Sequence, residues 1–280
     1  MKLENWGTAD KGAVLLLTGE RFTPAQVREA LPGLEKRYHV LVSSGTGASP
    51  EELFDALRCA GVVRLWGAYG LEAGADALLA FLAAGSMEVR TAVTEGCFSL
   101  PAASLAEYPG TLICWKGGRD KPAEKSWKAL KAQRPGLRSL TLDKLKKGQT
   151  YLSRRPDLME KRLTATFGDV SALQVTDVFL GSEKEVWQFF SGETGSDFPL
   201  LRELAPPRED EARHIRIREG RGEDIPFWNR RLELERAGDG AVKCVDQVEY
   251  SAGKRQGRIR RLGERYLRSQ HRRLAQLLRR

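Results

Sequence analysis

Val62-Val63-Arg64-Leu65-Trp66-Gly67-Ala68-Tyr69-Gly70-Leu71-Glu72-Ala73-Gly74 decides how the first half of this 280-residue chain is read. Its first five residues, apolar except for Arg64 and bounded by Gly61 and Gly67, have the pattern of a buried strand. Gly67 to Gly70 reads as a tight turn, and a helix is expected from Leu71 to Ala84, opening with small residues at Ala73, Gly74 and Ala77. A strand that turns at once into a helix needs close backbone approach at the turn, which glycine and alanine allow.

The flanking sequence repeats this alternation. Val14 to Leu17, Val40 to Val42, 89–94 and 111–115 read as strands. Thr23-Pro24 opens a helix over 24–37, Pro50 opens one through Cys59, and further helices are expected at 122–133 and near 156–163. Strands alternating with helices predict a mostly parallel sheet with helices on both faces, an α/β domain over residues 1–163. The period changes in residues 164–280. Leu173 to Phe179 alternates as a strand, and 182–191 is helical around Val186, Trp187 and Phe190. Arg213 to Arg218, Trp228 to Arg236 and Val242 to Tyr250 alternate again, with Gly238-Asp239-Gly240 as the hairpin turn between the last two. From Arg255 to Arg280 the pattern is helical, with Ile259, Leu262, Tyr266, Leu274 and Leu277 on one side. This is an α+β domain of about four antiparallel strands and a long C-terminal helix.

Composition narrows the function classes. The chain is 41% hydrophobic and 30% charged, which fits a folded globular protein and not a disordered one. No stretch approaches the roughly 20 apolar residues of a membrane-spanning helix, and the N-terminus lacks the apolar core of a secretion signal. Cys59, Cys97, Cys114 and Cys244 are scattered, with no paired spacing for zinc, so they read as reduced cysteines of a cytoplasmic protein; no metal and no cofactor is expected. The net charge of +9 is local: residues 251–280 hold Lys254 and ten arginines against Glu264, or +10, leaving −1 for the rest. The overall basicity is therefore a poor reason to expect nucleic-acid binding.

The strand–turn–helix at 62–84 resembles the nucleophile elbow of the α/β-hydrolase fold, whose motif is G-x-S-x-G. Set against it as Trp66-Gly67-Ala68-Tyr69-Gly70, Ala68 takes the place of the nucleophilic serine. Leu17-Thr18-Gly19 resembles the loop that contributes to the oxyanion hole, making Gly19, Glu20 and Tyr69 the oxyanion region. Gly45 to Ser49 resembles the turn after the next strand. Gly117-Gly118-Arg119-Asp120 resembles the passage that supplies the acid, and Lys146-Lys147-Gly148-Gln149 the one that carries the histidine, with Lys147 in its place. Acyl transfer of this kind needs a hydroxyl, an imidazole and unobstructed oxyanion donors. Ala68 and Lys147 remove the first two, Glu20 opposes the third, and Asp120 alone survives. The resemblance therefore implies a hydrolase fold without the hydrolase mechanism.

The second domain is similar to START-like, polyketide-cyclase-like helix-grip domains. The similarity rests on the strand at Val175 running into Glu185-Val186-Trp187, on the closing hairpin ending in Asp246-x-Val248-Glu249-Tyr250, and on the long final helix; the domain is short for that family. It implies an apolar space between sheet and helix, for which Trp187, Phe190, Trp228, Val248, Tyr250 and Tyr266 are the lining candidates. These side chains equally suit a closed core. On the last helix, Arg265, Arg268, Arg272 and Arg273 are candidates for an anionic or protein partner, with a simply solvated face as the alternative. Few aromatics interleave there, so base stacking and specific nucleic-acid recognition are not expected. The sequence thus points to a non-catalytic hydrolase-like protein that binds an apolar or amphipathic small molecule, or a partner, through its second domain. An atypical hydrolase or cyclase with unassigned residues is the alternative, and an interaction scaffold using the Arg-rich helix a third.

Overall fold

The structure is a computed structural model, which describes residues 2–44, 47–96, 98–117, 120–142, 145, 149–191 and 198–279. The chain forms two compact units, Met1–Asp169 and Val170–Arg280. The boundary expected at residue 163 falls inside a helix that runs from Pro156 to Phe167 and stops at Gly168, whose φ of 75° suits glycine.

The sheet of the first unit contains β1 (Glu4–Trp6), β2 (Ala13–Leu17), β3 (His39–Ser43), β4 (Leu65–Leu71), β5 (Val89–Glu95), β6 (Thr111–Gly117) and β7 (Arg138–Leu142). Its strand order is β1-β3-β2-β4-β5-β6-β7. β1 runs antiparallel to β3, and every other pairing is parallel. The connecting helices are α1 (Pro24–Ala30), α2 (Leu34–Arg37), α3 (Pro50–Cys59), α4 (Ala73–Ala84), α5 (Lys121–Gln133), α6 (Tyr151–Arg154) and α7 (Pro156–Phe167). β2 and β3 are buried at every residue, as a parallel sheet covered on both faces requires. Thr23 and Ser49 each close a capping box ahead of a proline, which fixes where α1 and α3 begin.

The chain leaves β2 for β3 on one side and returns to β4 on the other. At such a reversal the two connections diverge and leave a crevice beyond the carboxyl ends of the strands. Register aligns those ends: Leu17 lies opposite both Ser43 and Gly70, and Leu71 lies opposite Glu95, which lies opposite Trp115.

The turn expected at Gly67–Gly70 is strand. Its glycines serve packing instead. A Cβ on Gly67 would stand 2.6 Å from the Phe167 ring, and one on Gly70 would stand 2.7 Å from the Ala75 Cα. Glycine inside a strand marks close approach of another element as often as it marks a bend.

Among the described residues the second unit is a six-stranded antiparallel sheet with two α-helices. Its elements are β8 (Ser171–Leu180), α8 (Glu183–Ser191), β9 (Glu203–Leu204), β10 (Arg208–Asp210), β11 (Ile215–Gly222), β12 (Ile225–Gly238), β13 (Ala241–Ser251) and α9 (Gln256–Leu277). The order is β10-β11-β12-β13-β8, and β9 also pairs with β11. The two strands beyond the expected four are the two- and three-residue β9 and β10, too short to show an alternation. Gly238 (φ 139°) and Gly240 (φ 69°) form the expected β12–β13 hairpin turn.

Candidate functional site

The strained residue of the first unit is Glu72. Its φ of 51° and ψ of −117° lie outside the regions open to most side chains, and among the described residues only His214 shares a positive φ with a side chain. Glu72 follows β4 directly and precedes α4. Its N–H donates to the Glu95 carbonyl (3.0 Å), and its carbonyl accepts from the N–H groups of Ala75 and Asp76 (2.8 and 3.2 Å). A Cβ on Gly74 would fall 2.2 Å from the Leu17 carbonyl oxygen. The strand-to-helix elbow is therefore Gly70-Leu71-Glu72-Ala73-Gly74, a G-x-E-x-G. Ala68, expected on that elbow, is instead wholly buried in mid-strand opposite Leu15 and Ala92.

The Glu72 carboxylate pairs with Arg21 Nη1 at 3.0 Å, both side chains being a little over a third exposed (38% and 39%). Arg21 ends the 3-10 turn Gly19–Arg21 that follows β2; Gly19 is buried with φ 63°, and Glu20 is exposed. The loop expected to supply oxyanion donors thus sends a guanidinium toward the elbow, a feature the sequence reading did not assign.

Below the elbow lies a buried layer. Tyr69, expected in the oxyanion region, sits inside β4, and its hydroxyl donates to Glu95 Oε2 at 2.6 Å. Glu95 Oε1 accepts the Tyr151 N–H at 2.8 Å. The Trp115 ring stands 6.0 Å from both the Tyr69 and the Tyr151 rings. Burial pushes the Glu95 carboxyl up to about 7, with the Glu72 charge adding to the rise and the bonds from Tyr69 and Tyr151 opposing it. The same burial, with the Glu95 charge beside it, drives the Tyr69 phenol well above its ordinary range.

Asp120 follows β6 and caps α5, accepting the Ala123 N–H at 3.2 Å. Lys147 lies outside the described residues, as do Gly45, Thr46, Gly118, Arg119, Lys146 and Gly148.

In the second unit the six lining candidates separate into two apolar clusters. Trp228, Val248 and Tyr250 belong to one, with Tyr266 packed against it. There Phe198 stacks on Trp228 with ring centroids 4.5 Å apart, and its ring lies 5.6 Å from Tyr266. Phe190 belongs to the other cluster, with Trp187 packed against it. An ionic cluster, absent from the sequence reading, shares the same face. Register puts Arg230 in a row with Val248 and Leu173, and Leu232 in a row with Asp246 and Val175. Arg230 grips Asp246 with two bonds (Nε to Oδ1 2.9 Å, Nη2 to Oδ2 2.7 Å) and donates through Nη1 to the Tyr266 hydroxyl (3.2 Å). His271 Nδ1 lies 2.7 Å from Asp177 Oδ2, and Nε2 lies 3.5 Å from Asp246 Oδ2. Burial works to raise the Asp246 carboxyl, but the Arg230 charge and the hydrogen bonds from His271 and Arg230 hold it below the usual range. The period-two alternation of β12 was the available signal, since Arg230 falls between Trp228 and Leu232 on the inward side.

Arg265, Arg268 and Arg272 are exposed on α9, and Arg268 pairs with Glu264. Arg273 lies apart from them, its guanidinium 6.0 Å from the Phe189 ring centroid. Among the described residues no three metal-ligating side chains converge, and no helix is long and apolar enough to cross a membrane.

No protein-family model and no curated protein matches the chain. Solved structures do. An esterase from a marine microorganism superposes with a TM-score of 0.51 at 8% identity, over 59% of this chain and 98% of its own. A Bacillus subtilis protein provisionally described as a hydrolase gives 0.50 at 11% identity, over 59% and 87%. A Desulfitobacterium hafniense protein provisionally assigned to the α/β-hydrolase family gives 0.48 at 16% identity, over 60% and 100%. The first unit has the α/β-hydrolase fold. The turn that leads from β4 into α4 in this unit carries Glu72.

Proposed function

We propose that this chain is a non-catalytic α/β-hydrolase-fold protein, one that binds and does not hydrolyse esters. The observation that carries the reading is Glu72 on the elbow. A carboxylate paired with Arg21 occupies the place where acyl transfer needs a hydroxyl with a neighbouring base. An ester presented there would meet a negative charge before any nucleophilic oxygen of a serine. The expected result is no turnover of p-nitrophenyl esters above buffer by the wild-type chain. Turnover above buffer would overturn the reading, and its loss in Glu72→Gln would point to Glu72 as the reacting group.

The second unit, on this reading, is a shortened START-like helix-grip domain that takes an amphipathic small molecule or a partner. Support comes from its element order, a strand and helix followed by an antiparallel sheet and a long last helix, and from an apolar cluster beside a charged one on the face that α9 packs against. An amphipathic ligand would find both chemistries there. A thermal-shift and tryptophan-fluorescence screen of fatty acids and polyketide-like aromatics on the full chain tests this; no response from any class would sink it.

A second reading has one observation in its favour. Holding a side chain at positive φ costs of order 1–3 kcal/mol, and such strain collects at functional sites. Glu72 could then be the nucleophile itself, since carboxylates form covalent intermediates. An ester adduct on Glu72, found by peptide mass analysis after exposure to an activated electrophile, would favour this reading over the first.

A further inference from the structure

We infer that the exposed face of α9 binds the phosphate backbone of duplex nucleic acid without reading its sequence. The helix holds seven arginines and one acidic residue over Gln256–Leu277. Its inner face is marked by Ile259, Gly263, Leu267, Gln270, His271 and Leu274, all buried. Arg258, Arg261, Arg265, Arg268 and Arg272 follow one another at spacings of three and four on the opposite side, and all five are exposed. At 1.5 Å per residue they form a straight ridge about 21 Å long.

Elsewhere in the second unit five exposed arginines are paired with acids. Arg202, Arg208, Arg221, Arg236 and Arg255 each meet a carboxylate across the fold: Glu223, Glu219, Glu203, Glu183 and Asp224. The ridge departs from this habit. Among the described residues Arg258, Arg265 and Arg272 have no carboxylate partner, Arg261 reaches only the Gly257 carbonyl, and Arg268 alone meets an acid, Glu264. Like charges three and four apart weaken a helix by a few tenths of a kcal/mol per pair, and the one Glu264–Arg268 pair does not offset this for the other four. An external polyanion would.

The chemistry of the ridge selects among polyanions. Guanidinium groups bind phosphate oxygens in pairs. The one tyrosine in that stretch, Tyr266, packs against the apolar cluster of its own unit, so the ridge offers no platform for stacked single-stranded bases. The apolar side of α9 is buried in its own core, and Leu277 is the one large apolar side chain of the helix that is exposed. A helix that lies in a lipid surface needs that side free. A rigid row of cations without apolar or aromatic reach suits the outside of a duplex, where phosphate contacts supply affinity and no sequence information.

The test is fluorescence anisotropy of a labelled DNA duplex of about 20 base pairs with the full chain, titrated across salt. With five phosphate contacts the affinity should fall roughly 500-fold between about 50 and 200 mM salt. The combined variant Arg258→Gln, Arg261→Gln, Arg265→Gln, Arg272→Gln keeps one contact and should lose only about threefold over that range, from a much weaker start. Replacing the same four with lysine should retain most of the salt slope, and serves if the glutamine variant fails to fold. Three results would overturn the inference: no duplex binding by the wild type at about 50 mM salt, equal binding by the folded glutamine variant, or sedimentation with phosphatidylserine vesicles while the duplex stays free.

Discussion

Replacing Glu72 by glycine and, separately, by alanine should reverse the ordinary order of those two residues. Both remove the ion pair with Arg21, whose partly exposed geometry is worth at most about 1 kcal/mol, so that loss cancels in the comparison. What remains is the backbone at φ 51°, ψ −117°. Alanine keeps a Cβ there and with it a strain of about 1–3 kcal/mol, whereas glycine adopts the conformation freely but loses roughly 0.4–1 kcal/mol through its more mobile unfolded chain. Glycine should therefore be the more stable variant by about 1–2 kcal/mol, where an unstrained position would favour alanine by about 0.5–1. In a domain of this size the difference corresponds to about 2–8 °C in the calorimetric midpoint of the first unit. Ala68→Gly is the control: mid-strand and wholly buried, it should lose about 1–2 kcal/mol. If Glu72→Ala melts at or above Glu72→Gly, residue 72 is not strained and the elbow has been misplaced.

Glu95 makes the first unit's stability depend on pH. Its carboxyl, near 7 in the folded chain against an ordinary 4.5, keeps a proton that the unfolded chain has already released, so stability falls as pH rises from about 4.5 to 7. The loss should be of order 3 kcal/mol, and Glu95→Gln, which can still accept from Tyr151 and donate to Tyr69, should flatten the profile in urea titrations at pH 5 and 8; identical slopes for both proteins would refute it. In the second unit Arg230→Met strands the fully buried Asp246 and should cost about 3–5 kcal/mol, most of it recovered by adding Asp246→Leu. Failure of the second change to rescue the first would show that Arg230 matters through packing alone. Phe198→Ala should cost about 3 kcal/mol or more by emptying the stack on Trp228, and an equal or larger loss from the half-buried Trp187→Ala would contradict that packing.

The longer strands and helices were legible where their periods are clear, whereas the edge strands β1 and β7 were not, and the helix expected over 24–37 is two, Pro24–Ala30 and Leu34–Arg37. Leu173 to Phe179 and Val242 to Tyr250 alternate through ten- and eleven-residue strands of the sheet, and the capping boxes at Thr23 and Ser49 mark helix starts. The elbow was legible in kind but misplaced by four residues. Gly67 and Gly70 look like turn glycines in a sequence, yet they are absent of side chains because Phe167 and Ala75 press on the strand from neighbouring helices. Only the tertiary contact tells those two uses of glycine apart. Glu72 was passed over for a related reason: a glutamate carries no signature of positive φ, and its partner Arg21 lies 51 residues away. The buried Arg230–Asp246–His271 group needed the pairing register of β12, β13 and α9 before three polar residues could be seen to share one place. The arginine ridge was visible as charge, but not that its members lack the carboxylates that the neighbouring strands supply.

Intact-mass measurement after exposure to a fluorophosphonate probe tests the central claim most directly, because the probe reacts with an activated serine hydroxyl whatever the natural substrate. With Glu72 at the elbow, facing Arg21, the chain should keep its unmodified mass under conditions that label a serine esterase to completion. A single covalent adduct mapped to any serine of the first unit would show that a working nucleophile exists, and that the carboxylate at the elbow does not mark the loss of acyl-transfer chemistry.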